Sequence, residues 1–225
     1  MITAQRIGAW TVFLAVFLAS AELLASGGHK VPDLRGEPNL RAPRRGALLR
    51  LPLTVHLAVD EGATAGAMRR LEGAIARANE ALRPFQVEVY LHELRRMPEG
   101  YGSITRRRDR RRIAHFAPVD GSIHVFMVDS VELGSPRSGD RSVRGLHWRY
   151  RGILRKLRQR EYVVLGGDAP TTTLAHEIGH LLGLGHAETT DNLMCSCRRG
   201  PRQIFTMSQG AVIRAGARRF LGHGG

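Results

Sequence analysis

Apolar positions recur along this chain with two different periods. Leu51–Val59 (LPLTVHLAV) and Gln86–Leu94 (QVEVYLHEL) alternate apolar and polar residues and predict two strands. Pro52 is compatible with the first because it stands near the strand start. Between them, Met68, Leu71, Ile75 and Ala78 recur at helical spacing, which predicts an amphipathic helix over Ala65–Leu82 that Pro84 ends. Ser122–Val131 (SIHVFMVDSV) predicts a third strand and Tyr162–Leu165 a short buried one. The charged stretch Arg95–Ala114, interrupted by Gly100 and Gly102, reads as a loop, as does the polar segment Gly134–Gly145. Gly166–Pro170 turns into a further helix. Met207–Leu221 predicts a terminal helix, opened by a Thr206/Gln209 capping box and striped by Ile213, Ala217 and Leu221. No internal repeat is present. Early strands around one helix, followed by two late helices, predict an α+β fold with a small mixed sheet.

One apolar run stands apart. Arg6 is followed by Trp10–Ala19 and small residues, with Ala19-Ser20-Ala21 matching an A-x-A cleavage site and Ala25 a second option. The run is shorter than the roughly 20 apolar residues of a membrane span, and no cysteine stands near it to carry a lipid. Residues 1–25 therefore read as a signal peptide, with an uncleaved anchor as the alternative. Residues 26–48 hold three of the ten prolines and read as a linker or short pro-segment, leaving 49–225 as the domain. This organisation predicts a secreted or periplasmic protein with no stable membrane span after processing.

Composition changes the picture in two places. With 43% hydrophobic and 24% charged residues among 225, the chain is globular. Its net charge of +14 comes from 34 basic residues of which only Lys30 and Lys156 are lysine, a ratio typical of GC-rich coding sequence. The densest run is Arg106–Arg112. No nucleic-acid motif or interleaved aromatic residue accompanies it, which argues against nucleic acid and leaves a solvated loop or a contact for acidic partners. Cys195 and Cys197 are too few for a disulfide framework.

Residues 173–186 (TLAHEIGHLLGLGH) carry the chemistry. On a helix, His176 and His180 lie one turn apart on one face, as two imidazoles sharing one zinc ion require. Glu177 is rotated by about 100° from His176, within reach of a water at the metal without being a ligand. His186 can join the pair only if the helix breaks, and Gly183 permits a left-handed turn there. At this chain's own composition the five-residue pattern arises by chance with a probability of roughly 10⁻⁴. Three histidines leave a fourth position open for water, the mark of a catalytic zinc site.

HEIGHLLGLGH resembles the long zinc-binding signature of the metzincin metallopeptidases, H-E-x-x-H-x-x-G-x-x-H. Met194, eight residues after His186, is similar in spacing to the Met-turn methionine of the matrixin (matrix metalloproteinase) branch. The close match covers residues 173–195. The resemblance implies a zincin-like metallopeptidase domain holding Zn2+ through His176, His180 and His186, with Glu177 as general base and Met194 beneath the metal. It further implies a protein or peptide substrate extended along an edge strand, for which order in the chain points to Ser122–Val131. His124 and His147 lack ligand spacing and read as ordinary residues. Ala187 stands where matrixins usually have serine, and no matrixin-type cysteine-containing propeptide motif precedes the domain. A disulfide between Cys195 and Cys197 closes a small strained ring, so free thiols or a redox role are the alternatives. The expected function is a secreted zinc endopeptidase. The alternative is a zinc-containing or polyanion-binding secreted protein without turnover.

Overall fold

The computed structural model describes residues 46–135, 139–142, 144–150, 157, 159–196 and 203–223. The predicted signal peptide, the first part of the linker and Cys197 lie outside them. Eight strands are formed: β1 (Leu49–Ala58), β2 (Val87–Arg96), β3 (Ser103–Ile104), β4 (Ile123–Val128), β5 (Ser130–Ser135), β6 (Gly139–Ser142), β7 (Gly145–Arg149) and β8 (Glu161–Leu165). Four α-helices accompany them: α1 (Thr64–Leu82), α2 (Arg107–Ala114), α3 (Thr173–Leu181) and α4 (Met207–His223). The fold is α+β, as the sequence predicts.

The main sheet has the order β2-β1-β4-β8-β7, parallel except for β7, which runs antiparallel to β8 at one edge. Alternation assigns the faces. Leu51, Leu53, Val55 and Leu57 of β1, Ile123 and Val125 of β4 and Val163 of β8 point to one side and pack with α1, α3 and α4. Phe126, Val128, Tyr162 and Val164 point to the other and pack with Ile113 and Ala114 of α2. Pro52 falls one residue before the β4 ladder opens at Leu53–Ile123, so its missing N–H costs that ladder nothing. The Asn79 side chain on α1 donates to the Val89 carbonyl (2.9 Å) and accepts from its N–H (2.8 Å), fastening the helix to β2.

Several expectations change. The Arg95–Ala114 stretch is not all loop: it contains β3 and the helix α2, whose Arg110, Ile113 and Ala114 are buried while its other arginines face water. Such a sequence has almost no apolar periodicity to read. The third strand breaks after Val128, and residues 130–135 turn into a second, smaller sheet of order β3-β5-β6. That sheet also takes up part of the predicted Gly134–Gly145 loop. On α4 the third apolar contact is Phe220; Leu221 is largely exposed. Finally, the Ser122–Val131 segment is not an edge strand. β4 is central, flanked by β1 and β8, and its side chains are buried on both faces; among the described residues the edge strand on the β8 side is β7. Among the described residues no helix is long and apolar enough to cross a membrane.

Candidate metal centre

Helix α3 is nine residues long, too short to be stable alone. It is held by burial: Leu174, Ala175, Ile178 and the following Leu182 are fully buried against the sheet and α1. Each large side chain so buried contributes about 1.5–3 kcal/mol, which fixes the rotation of the helix and with it the direction of His176 and His180. The helix stops where the sequence predicts. Gly183 has φ +107°, and the Leu184 N–H turns back to the Gly179 carbonyl (2.9 Å). This turn carries the chain round to His186.

The three ring nitrogens converge. His180 Nε2 lies 3.2 Å from His176 Nε2 and 3.1 Å from His186 Nε2, and these histidines form the metal-competent group among the described residues. The opposite nitrogens set the tautomers: His176 Nδ1–H donates to the Leu193 carbonyl (2.7 Å) and His180 Nδ1–H to that of Leu184 (2.9 Å). With Nδ1 protonated, each Nε2 presents a lone pair to the others. Such lone pairs facing one another at this separation are satisfied by a shared cation, and a three-nitrogen set suits zinc. Burial, reinforced by the neighbouring His186 and His147, holds the His180 pKa below its ordinary value against the opposing Leu184 hydrogen bond. This keeps the ring neutral, the form that binds metal.

Glu177 is buried on the same helix. A Cβ on Gly145, the first residue of β7, would lie 3.1 Å from Glu177 Oε1 and would collide with the Thr173 methyl. Glycine thus lets the edge strand close over the carboxylate, a contact between residues 32 apart that no sequence pattern announces. Met194 is fully buried below the helix, its sulfur 2.5 Å from where a Cβ on Gly179 would stand. The Met194 N–H is held by Asn192 Oδ1 (2.9 Å), and its carbonyl accepts from the Ala187 N–H (3.0 Å), tying the methionine turn to the residue after His186. The predicted capping box is present, with Gln209 Oε1 accepting from the Thr206 N–H (2.8 Å). The same oxygen accepts from Asn192 Nδ2 (3.0 Å), so the cap of α4 also braces the turn.

Of the two further histidines, His124 bonds to His56 and Asp120 away from the metal group. His147 on β7 is close to it. Its ring stacks near that of His180, with centroids 6.3 Å apart and planes at 18°, and its Nε2 lies 2.6 Å from Glu161 Oε1. It stands outside the ligand group itself. A cavity of about 340 Å³ opens beside His180 and His147, lined also by Asp120, Arg149, Glu161 and Phe220. Cys195, next to Met194, is disulfide-bonded, which removes the free-thiol alternative for it.

No protein-family profile matches the chain, and no curated protein matches it in sequence. Solved structures do. It superposes on metalloproteinase-II from Bacteroides fragilis with a TM-score of 0.52 at 12% identity, over 77% of this chain and 55% of that one. A chaperone–substrate complex gives a TM-score of 0.46 at 12% identity, over 78% and 36% of the two chains. Archaemetzincin from Methanopyrus kandleri gives 0.45 at 15% identity, over 76% and 97%. The first likeness shows that this chain shares its fold with that metalloproteinase, and it spans little more than half the length of that protein.

Proposed function

We propose that this chain is a zinc-dependent endopeptidase of the metzincin type that acts outside the cytoplasm. The observation that carries the reading is the convergence of three Nε2 atoms, two with tautomers fixed by backbone carbonyls, beside a buried carboxylate. His176, His180 and His186 hold the metal; zinc, when bound, supplies Lewis acidity that polarises a carbonyl and makes water a stronger acid. Glu177 accepts the proton of the attacking water and delivers it to the departing amine. Met194 fills the space under the histidines. The outer edge of β7, an edge strand among the described residues, receives an extended peptide through backbone hydrogen bonds, as strand addition requires; β7 takes the role that order in the chain assigns to Ser122–Val131. Spacing from His186 to Met194 supports the matrixin-like branch.

Export is supported by the apolar run after Arg6 and by the disulfide at Cys195, since disulfides persist in oxidising compartments. The central test is zinc quantification on purified protein beside hydrolysis of an unstructured protein, with and without chelator. Near-stoichiometric zinc and chelator-sensitive cleavage are expected; stoichiometric zinc without cleavage would overturn the peptidase reading. Mass spectrometry of secreted protein is expected to find the N-terminus near Glu22 or Ser26, and retention of Met1 would overturn processing.

A further inference from the structure

Six of the seven residues Arg106–Arg112 are arginine, and their environments differ. Arg110 is buried with its guanidinium 4.6 Å from the centre of the Trp148 ring, and Arg112 lies 4.3 Å over Tyr101. Asp109 is committed to the start of α2, where it accepts from the Arg106 N–H (2.9 Å) and Thr105 (3.3 Å) and sits 3.6 Å from Arg108. Arg106, Arg107, Arg108 and Arg111 are exposed. Of these, Arg106, Arg107 and Arg111 have no carboxylate side-chain partner among the described residues. Arg107 and Arg111 are one turn apart, and Arg108 and Arg111 are neighbours at i,i+3. Like charges so placed disfavour the helix. Packing on the sheet overrides that cost, and an anion would relieve it.

The position of this surface gives it meaning. Ile113 and Ala114 anchor α2 on the outer face of the sheet, the Tyr162 hydroxyl donates to the Arg110 carbonyl (2.9 Å), and Arg110 rests on Trp148 of β7. The arginine face is therefore braced on the strand whose opposite side carries His147 beside His180. We propose that Arg106, Arg107, Arg108 and Arg111 form a docking surface for an acidic segment of the polypeptide substrate, outside the residues that are cleaved. The surface rests on the peptidase reading only in calling that polypeptide a substrate.

Spacing favours a peptide. Arg107 and Arg111 are separated by about 6 Å along the helix axis, and alternate side chains of an extended chain by about 6.6 Å, so carboxylates at every second residue meet successive guanidinium groups. Single-stranded nucleic acid would need exposed aromatic platforms; the nearby Tyr101 and Trp148 are part-buried under Arg112 and Arg110. A membrane surface would need an exposed apolar face, and the apolar side chains of α2, Ile113 and Ala114, are buried.

The test is fluorescence anisotropy of the full chain with a labelled alternating Glu-Ala octapeptide and its Gln-Ala counterpart, at low and high salt. A triple variant, Arg107→Gln with Arg108→Gln and Arg111→Gln, is measured alongside. Binding of the acidic peptide alone, weakened about tenfold or more by the variant and by salt, is expected, with zinc content and hydrolysis of a short neutral peptide unchanged. Acid-specific binding that the variant loses supports the surface even if the chain cleaves nothing, in which case only the peptidase reading falls. Equal affinity for both peptides, or undiminished binding by the variant, overturns the proposal. So does variant-sensitive binding of duplex DNA or anionic vesicles that is tenfold tighter than that of the acidic peptide.

Discussion

The face of the main sheet that meets α1, α3 and α4 is aliphatic, whereas the opposite face of the same strands buries a chain of polar rings. On the first, Leu51, Leu53, Val55, Ile123, Val125 and Val163 supply the packing, and the histidine cluster lies at the end of the helix packed on them. On the second, alternate residues of β1 and β4 place His56 and His124 side by side, both essentially buried. His56 Nε2 is 3.0 Å from His124 Nδ1, and His124 Nε2 is 3.1 Å from Asp120 Oδ1. With Asp120 ionised, His124 donates to it from Nε2 and accepts a hydrogen bond at Nδ1 from the His56 Nε2–H. Both rings are then neutral, and the buried His56 Nδ1 has no hydrogen-bond partner among the described residues. The contrast is between lone pairs that face one another, which call for a cation, and a donor-to-acceptor chain from His56 through His124 to Asp120, which does not.

The largest effect that tests this contrast is on turnover. Glu177→Ala is expected to keep zinc near stoichiometric while the hydrolysis rate falls by roughly 10²–10⁴, the usual worth of a positioned general base. His186→Ala removes one of three ligands and should lower zinc affinity by orders of magnitude. Zinc content beside turnover separates the two. Loss of zinc in Glu177→Ala would make the carboxylate a ligand, and full activity in it would remove the mechanism.

Next in size is a pH effect on the opposite face. Burial, then the charges of His124 and Arg95, lowers the His56 pKa from 6.5 to about 4, with Glu93 and Asp120 opposing; His124 is lowered too, chiefly by burial. A lowered histidine means that the unfolded chain binds more protons than the fold between those values. The stabilisation is therefore complete above about 6.5 and is lost as pH falls toward 4. It is worth roughly 3 kcal/mol for His56. Thermal unfolding of the wild type against His56→Phe should show a steeper acid loss in the wild type over that window. Parallel curves would mean that the pair does not titrate with folding.

A smaller effect belongs to the turn between ligands. At φ +107° Gly183 has room for a side chain, the nearest atoms to a Cβ being 3.5 and 3.7 Å away. The cost of Gly183→Val is thus backbone strain of about 1–3 kcal/mol, felt as a loss of zinc affinity through His186. Gly183→Asn, which adopts positive φ more readily, should recover part of it. Equal losses in both would point to crowding instead.

The two faces also differ in what the chain discloses. The histidine cluster and the turn at Gly183 were legible because metal geometry demands a fixed spacing within a few helical turns, and β1, α1 and β8 because apolar periodicity is strong there. The Arg-rich helix α2 was not, since only Ile113 and Ala114 mark its buried side. The edge position of β7 was not, since pairing order depends on contacts far apart in sequence. Gly145 against Glu177 and Gln209 against Asn192 are likewise products of the tertiary fold.

The smallest effect, Met194→Leu, asks how tolerant the aliphatic side is directly beneath the metal. Met194 contributes in two separable ways. Its backbone holds the loop after His186 through the Ala187 N–H (3.0 Å) and is held by Asn192 (2.9 Å); a substitution leaves these bonds in place. Its side chain is fully buried against Gly179, on the helical turn between His176 and His180. Leucine nearly conserves the volume but replaces an unbranched thioether with a chain that branches at Cγ, so the cost should stay under about 1.5 kcal/mol. That corresponds to a fall in Tm of about 3–6 °C. Zinc affinity, measured by competition with a chelator, should change by less than about threefold. A loss of zinc as deep as in Gly183→Val would show that the thioether sets the positions of His176 and His180 rather than filling the space below them. The aliphatic face would then be as exacting at this point as the ring chain on its far side.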